Sequence, residues 1–220
     1  MREHAQSQSL PSAKAEAAQA HYDRWASVYG RSRLLPSLQK KALAELAPSA
    51  ADRVLDVACG AGALVVELGP HVERAVGVDL SDGMLELAGK RLRAARETQP
   101  LPNVEFVQGP SDALPFDDDS FTAIVCTTAL HHFPDPQRSI KEMSRVLEPG
   151  GRLVIGDASR DALTTKIADP LYRRFEEGHV GLRRKREIEA MLTRAGLQVT
   201  SSRHIWLRIY VLIAAERPAG

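Results

Sequence analysis

Arg53-Val-Leu-Asp-Val-Ala-Cys-Gly-Ala-Gly62 decides the fold. Arg53 to Ala58 is a short apolar run rich in branched side chains, as a strand buried on both faces requires. Gly60 and Gly62 follow at once. Glycines after a first strand let the chain turn tightly and let a ligand approach the backbone closely. Ala63 to Leu68 then reads as a helix, whose first N–H groups would face a ligand held in the loop. Asp56 is the unusual residue. A buried carboxylate needs a partner, and an aminium group or the loop amides would serve. The full dinucleotide fingerprint would place a third glycine at position 65, which is Val65.

Outward from this loop, strands and helices alternate. Arg74 to Val78 reads as a second strand, ended by Asp79, with a helix from Ser81 to about Glu97 and Ser81 as its N-cap. Further strands are expected at Val104–Val107, Phe121–Cys126 and Leu153–Ile155. A helix is expected from Pro136 to Leu147, stopped by Pro149-Gly150-Gly151, and another from Arg184 to Ala195, closed by Gly196. Leu197–Ser201 and Ile209–Ala215 are the last strands. No helix-length connection separates them, so they should pair antiparallel at one edge. The fold class is therefore α/β: a doubly wound, mostly parallel seven-stranded sheet with helices on both faces, the last strand antiparallel. Ligands of such sheets sit outside the carboxyl ends of the strands. That directs attention to Asp56–Gly62, Asp79, Gly109–Leu114, Thr127–His132 and Asp157.

The domain reading has three parts. Residues 1–12 are a polar tail. Residues 13–48 form N-terminal lid helices, with Tyr22, Trp25, Ala26 and Tyr29 on one face and a second helix from Pro36 to Ala47. Residues 49–220 form the Rossmann-like domain, with a helical insert on the substrate side at about 158–182.

The chain has 220 residues, of which 44% are hydrophobic and 26% charged, values at which a globular core forms without staples. Lys and Arg number 29 against 28 Asp and Glu, a balance that argues against a dedicated DNA-binding domain. Cys59 and Cys126 belong to no Cys/His cluster, so neither a disulfide framework nor a metal site is expected. Met1 to Gln8 has no apolar stretch of the secretory kind, and Ile209 to Ala215 is too short to span a bilayer. The reading is a cytoplasmic protein, a monomer or homodimer.

VLDVACGAG (Val54 to Gly62) resembles motif I of the class I S-adenosylmethionine-dependent methyltransferases. VGVDLSDGML (Val76 to Leu85), VQGPSDALPFDDDSFTAIVC (Val107 to Cys126), ALHHFPDP (Ala129 to Pro136) and SRVLEPGGRLVIGD (Ser144 to Asp157) match in order. YDRWASVYG resembles the opening of the small-molecule subgroup that includes ubiquinone and menaquinone biosynthesis methyltransferases. The resemblance implies S-adenosylmethionine as cofactor and a small-molecule acceptor such as a phenol or quinol. It implies that Asp56 and the backbone of Ala58, Gly60 and Gly62 hold the methionine part. Asp79 would bind the ribose hydroxyls. Leu80 and Met84 would flank the adenine, and Ser111, Asp112 and Ala113 would meet its edge. Thr127 would lie near the sulfonium, with Tyr22 and Tyr29 on the closing lid. Trp25, His131, His132, Tyr172 and Phe175 would line the acceptor pocket.

Methyl transfer itself asks for alignment more than for side-chain chemistry. A base is needed only if the acceptor must lose a proton, and His131 is the candidate. The alternative is a histidine pair that packs and hydrogen-bonds at a helix start, His132 the more structural of the two. Other readings carried forward are an RNA methyltransferase, a nicotinamide-dependent oxidoreductase and a cofactor-binding relative without methyl transfer. Arg183-Arg184-Lys185-Arg186 reads as a solvated helix start or an anion site, and Asp117-Asp118-Asp119 as a turn.

Overall fold

The computed structural model describes residues 34–167 and 180–220. The polar tail, the first expected helix with Tyr22, Trp25 and Tyr29, and the insert residues Tyr172 and Phe175 lie outside the described residues.

The chain order is α1 (Leu34–Leu46), β1 (Arg53–Val57), α2 (Ala63–Leu68), β2 (Arg74–Asp79), α3 (Asp82–Arg96), β3 (Val104–Gln108), β4 (Phe121–Thr127), α4 (Pro136–Val146), β5 (Leu147–Ala158), α5 (Lys185–Arg194), β6 (Gln198–Ile205) and β7 (Tyr210–Glu216). The strands form one seven-stranded sheet in the order β3-β2-β1-β4-β5-β7-β6. β7 runs antiparallel to both β5 and β6; β1 to β5 pair parallel with their neighbours. The doubly wound architecture expected from the alternation is thus the observed one.

Alternation within each buried strand sends successive side chains to opposite faces. Val54, Ala75, Ala123, Val125 and Val154 pack under α1, α2 and α3 with Ala42, Leu46, Leu64 and Leu92. Leu55, Val76, Ile124 and Ile155 pack on the other face with Ile140 and Met143 of α4 and Ile188 and Leu192 of α5. β1 and β4 run parallel, but the strand order turns back between them, with β2 and β3 added on one side and β4 and β5 on the other, which makes the gap above their carboxyl ends the topological switch point.

Two expectations change. The second expected lid helix, α1, is a layer of the domain: Leu38, Ala42 and Leu46 are fully buried, and a Cβ added at Gly156 of β5 would meet Leu38 at 3.2 Å. The rest of the expected lid precedes residue 34, outside the described residues. The helix expected to reach Leu147 ends at Val146, and β5 begins there rather than at Leu153. Leu147 pairs with Phe121, Gly150 N–H donates to the Arg217 carbonyl, and Arg217 N–H donates to the Gly151 carbonyl. These long-range pairings draw Pro149-Gly150-Gly151 into the sheet, so glycines that look like a helix stop act as a bend within an edge of β5.

Candidate functional site

The loop after β1 is held in shape by Asp79. One carboxylate oxygen of Asp79 accepts the Gly60 N–H at 2.7 Å, and the other accepts the Ser81 N–H at 2.9 Å. Ser81 in turn caps α3, its hydroxyl accepting from Met84 N–H. The end of β2 therefore ties the glycine loop to the start of α3, and Asp79 is positioned at the rim of the switch point. Ala58, Gly60 and Gly62 all have left-handed backbone, with φ of 59°, 52° and 69°. At Gly62 the need for glycine is steric as well. A Cβ there would lie 2.4 Å from the Phe106 ring and 2.9 Å from Ala88, so any side chain would force α2 away from β3 and α3.

Asp56 lies beneath this loop at 2% exposure. Its Oδ1 has no hydrogen-bond partner among the described residues. Burial, with the Asp79 carboxylate adding to it, pushes the Asp56 carboxyl well above the usual range. A buried acid without a partner is costly and asks for a cationic one. The loop amides offered as an alternative partner do not satisfy Oδ1.

The segment expected to meet an adenine edge lies beside the end of β3. Gly109 N–H donates to the Asp79 carbonyl. Ser111 shares a hydrogen bond with Ser139 at 2.9 Å, and the Asp112 carbonyl accepts from Arg138. Leu114 N–H donates to Glu142, and Arg145 clamps the next turn by donating to Glu142, Asp118 and the carbonyls of Leu114 and Phe116. Ser111, Asp112, Ala113 and Leu80 are half-buried. Met84 is only 2% exposed and packs in the core. Asp56, Ala58, Gly60, Gly62, Asp79, Leu80 and the 109–114 segment thus gather at the carboxyl ends of β1, β2 and β3.

Across the switch point, β4 ends at Thr127, which is 7% exposed. Thr128 follows with a left-handed φ of 55° and a buried Oγ1 that has no partner among the described residues. For a β-branched residue that conformation is strained, and such strain gathers at functional sites. His131 then meets Asp157, at the end of β5. Its ring Nδ1 lies 2.6 Å from one carboxylate oxygen, and its backbone N–H donates to the other at 2.9 Å. The His132 ring lies tilted against it at 44°, with centroids 3.9 Å apart. Asp157 is legible in the sequence only as an acid at a strand end; neither its pairing with His131 nor the left-handed backbone of Thr128 is visible there.

Other singled-out residues take structural places. Arg184 is the N-cap of α5, its backbone N–H donating to the Glu187 carboxylate at 2.7 Å, and Lys185 pairs with Glu189 at 2.6 Å. A groove of about 570 Å³ beside Arg160, Arg183, Arg186 and Arg194 shares no residue with the glycine loop. Asp118 and Asp119 form the expected turn and pair with Arg145 and Arg217. His204 pairs with Asp161 at 2.9 Å. Among the described residues, no three His, Cys, Asp or Glu side chains converge on a point, and no helix is long and apolar enough to cross a membrane.

Known proteins resemble this chain in sequence and fold. The methyltransferase domain family matches residues 55–155. The chain is 35% identical over 143 residues to a methyltransferase of Bacillus subtilis (strain 168), YcgJ, described as uncharacterized; the match covers 64% of this chain and 55% of that protein. It is 36% identical over 146 residues to a demethylmenaquinone methyltransferase of Clavibacter sepedonicus, covering 64% and 57%. The chain thus spans a little over half the length of these curated relatives. The crystal structure of YcgJ superposes with a TM-score of 0.73 at 24% identity, over 84% of this chain and 99% of that one. A [4+2]-cyclase, SpnF, superposes with a TM-score of 0.70 at 18% identity, over 84% and 81%. Residues 55–155 thus match the methyltransferase domain family, and the seven-stranded sheet belongs to a fold that the chain shares with the YcgJ structure.

Proposed function

We propose that the protein transfers the methyl group of S-adenosylmethionine to a small-molecule acceptor. The observation that carries this reading is the buried, unpartnered Oδ1 of Asp56 beneath a glycine loop organised by Asp79. The donor set fits the cofactor in charge and shape. Asp56 meets the amino group of the methionine part, and the backbone of Ala58, Gly60 and Gly62 leaves room for it. Asp79, already fixed by two amides, accepts the ribose hydroxyls. Leu80 flanks the adenine, while Ser111, Asp112 and Ala113 bound its edge; Met84, buried in the core, backs this wall from behind. Thr127 lies towards the sulfonium. His131 and His132 belong to the acceptor pocket.

S-adenosylmethionine brings a sulfonium-activated methyl group, so the protein has to align the acceptor in line with it and exclude water. Such positioning supplies on the order of 7–11 kcal/mol. The names of the relatives favour an aromatic quinol-like acceptor. The likeness to a cyclase supports a second reading, binding of the cofactor without methyl transfer. The deciding experiment incubates the protein with methyl-labelled S-adenosylmethionine and a panel of phenols, naphthoquinols, amines and bulk tRNA. Label in a small phenolic or quinolic product is expected. Label only in tRNA, or tight cofactor binding with no label in any acceptor, would overturn the proposal.

A further inference from the structure

The run Arg183-Arg184-Lys185-Arg186 is not one solvated face, because the fold splits it. Arg184 becomes the N-cap of α5, and Lys185 turns to Glu189. Arg183 and Arg186 instead line the groove of about 570 Å³, with Arg160 from the exit of β5 and Arg194 from the last turn of α5. Separate stretches of chain thus bring four guanidiniums to one place. Glu187 is the one carboxylate in that lining, and it is already engaged: it accepts the Arg184 N–H at 2.7 Å and stands 3.7 Å from Arg160. The acids around the start of α5 are engaged as well. Asp161 meets His204 and the Lys185 N–H, and Glu189 meets Lys185. Arg186 is exposed and pairs with no carboxylate among the described residues. Arg194 donates through Nε to Gln137 at 2.7 Å, and Gln137 donates to the Met191 carbonyl at 3.1 Å, so the stem of Arg194 is fixed and its two terminal nitrogens are left to the groove. The upper wall is set in advance too: Arg160 N–H donates to the Arg183 carbonyl at 3.0 Å, and Ser159 and Arg183 pair as a β-bridge. Leu182, Ala190 and Met191 add an apolar lining.

We infer that this groove binds an organic phosphate carrying two or more negative charges, a phosphomonoester or a diphosphate, with its phosphate on the arginine forks and its body against Leu182 and Met191. Like charges gathered at one spot repel, and a multivalent anion removes that repulsion. The guanidinium fork matches two phosphate oxygens at once, and such charge-assisted pairs are the strong hydrogen bonds. A single carboxylate on a ligand would leave most of the positive surplus uncompensated. The volume falls in the range of small-molecule sites. A nucleic acid fits less well, since 29 Lys and Arg against 28 Asp and Glu leave the chain without the basic excess of nucleic-acid-binding domains. The groove shares no residue with the glycine loop, Asp56 or Asp79, so the site is additional to the cofactor site and does not rest on the methyl-transfer reading.

The test titrates the full chain calorimetrically with inorganic diphosphate at low ionic strength. The expected result is saturable binding with a Kd below about 1 mM, weakened about tenfold or more in Arg186→Gln and again in Arg194→Gln, and weakened by added salt. Both side chains are exposed, so each variant should melt with the wild type. Lys141→Gln removes the same charge from an exposed position of α4 outside the groove and should bind diphosphate like the wild type. S-adenosylhomocysteine affinity should stay within about threefold in all three variants, because the two sites share no residue. Two further arms use vesicles containing phosphatidic acid and bulk tRNA. Diphosphate binding that the vesicles compete away supports the inference and places the phosphate on a lipid headgroup; diphosphate binding without vesicle binding supports it and makes the ligand a soluble metabolite. Absence of diphosphate binding, an affinity unmoved by both groove variants, an equal loss in Lys141→Gln, or binding of tRNA alone would overturn it.

Discussion

Asp56→Asn should make the ligand-free protein more stable and the loaded protein weaker. Asp56 is 2% exposed with an unpartnered Oδ1, and burial, then the Asp79 charge, raise its carboxyl well above the usual range. The sign follows from linkage. Below the unfolded carboxylate's pKa, near 3.9, the group is protonated in both states and costs nothing. As pH rises towards the raised folded value, the unfolded chain ionises first and stability is lost. At neutral pH Asp56 is therefore a burden that a neutral amide removes. A buried polar group without its partner costs about 1–3 kcal/mol. Removing the lower part of that cost, about 1 kcal/mol, raises Tm by about 2–4 °C in a chain of this size. Binding moves the other way. Loss of the charge facing the amino group costs about 3 kcal/mol, or on the order of 100-fold in Kd. Calorimetry reads both. It also reads a third signature: because the Asp56 carboxyl is raised by burial, its ionisation against the ligand should release protons on binding, seen as a binding enthalpy that changes between phosphate and Tris buffers. A variant with lower Tm and unchanged S-adenosylhomocysteine affinity would refute the reasoning.

Three further outcomes follow from the packing. Gly62→Ala puts a methyl group 2.4 Å from the Phe106 ring at a left-handed φ, so urea unfolding should show a loss of about 2–4 kcal/mol. Arg145→Met removes the side chain that donates to Glu142, Asp118 and the Leu114 and Phe116 carbonyls. It should cost about 1–2 kcal/mol of stability, since the guanidinium is a third exposed. It should also weaken S-adenosylhomocysteine binding, and Arg145→Lys should not restore either property. Burial alone would raise the Asp52 carboxyl, but hydrogen bonds from Thr122, Ser49 and Arg152 outweigh it and hold it below the usual range. Its contribution is therefore present above about pH 4 and lost as pH falls through its folded value. Melting curves from pH 6 to pH 2 should flatten in Asp52→Asn.

What was legible in the sequence was local. The strand, the glycines and Asp79 announce themselves because a turn, a close backbone approach and an acid at a strand end each demand particular residue types within a few positions. Ser81 was legible as an N-cap for the same reason, and its hydroxyl does accept from Met84 N–H. What escaped depended on distant chain. The start of β5 at Leu147 is decided by Phe121 and Arg217, not by Pro149-Gly150-Gly151. α1 carries an apolar stripe that suits a lid as well as a layer, and only Gly156, which makes room for Leu38, selects the layer. His131 and Asp157 are 26 residues apart on different strands' ends, so their contact is a product of the β4–β5 register. The missing partner of Asp56 is likewise invisible in the chain, because it takes the folded loop to show that no amide reaches Oδ1.

The central claim is that Asp79 and the loop it organises hold S-adenosylmethionine. Calorimetric titration of the wild type and Asp79→Ala with S-adenosylhomocysteine, with NADH as control ligand, tests it most directly. The account predicts micromolar binding by the wild type, weakened at least about tenfold by loss of the carboxylate's hydrogen bonds to the ribose, a cost of about 1.4 kcal/mol or more. Binding of NADH in preference to S-adenosylhomocysteine, or equal S-adenosylhomocysteine affinity in the two proteins, would contradict it.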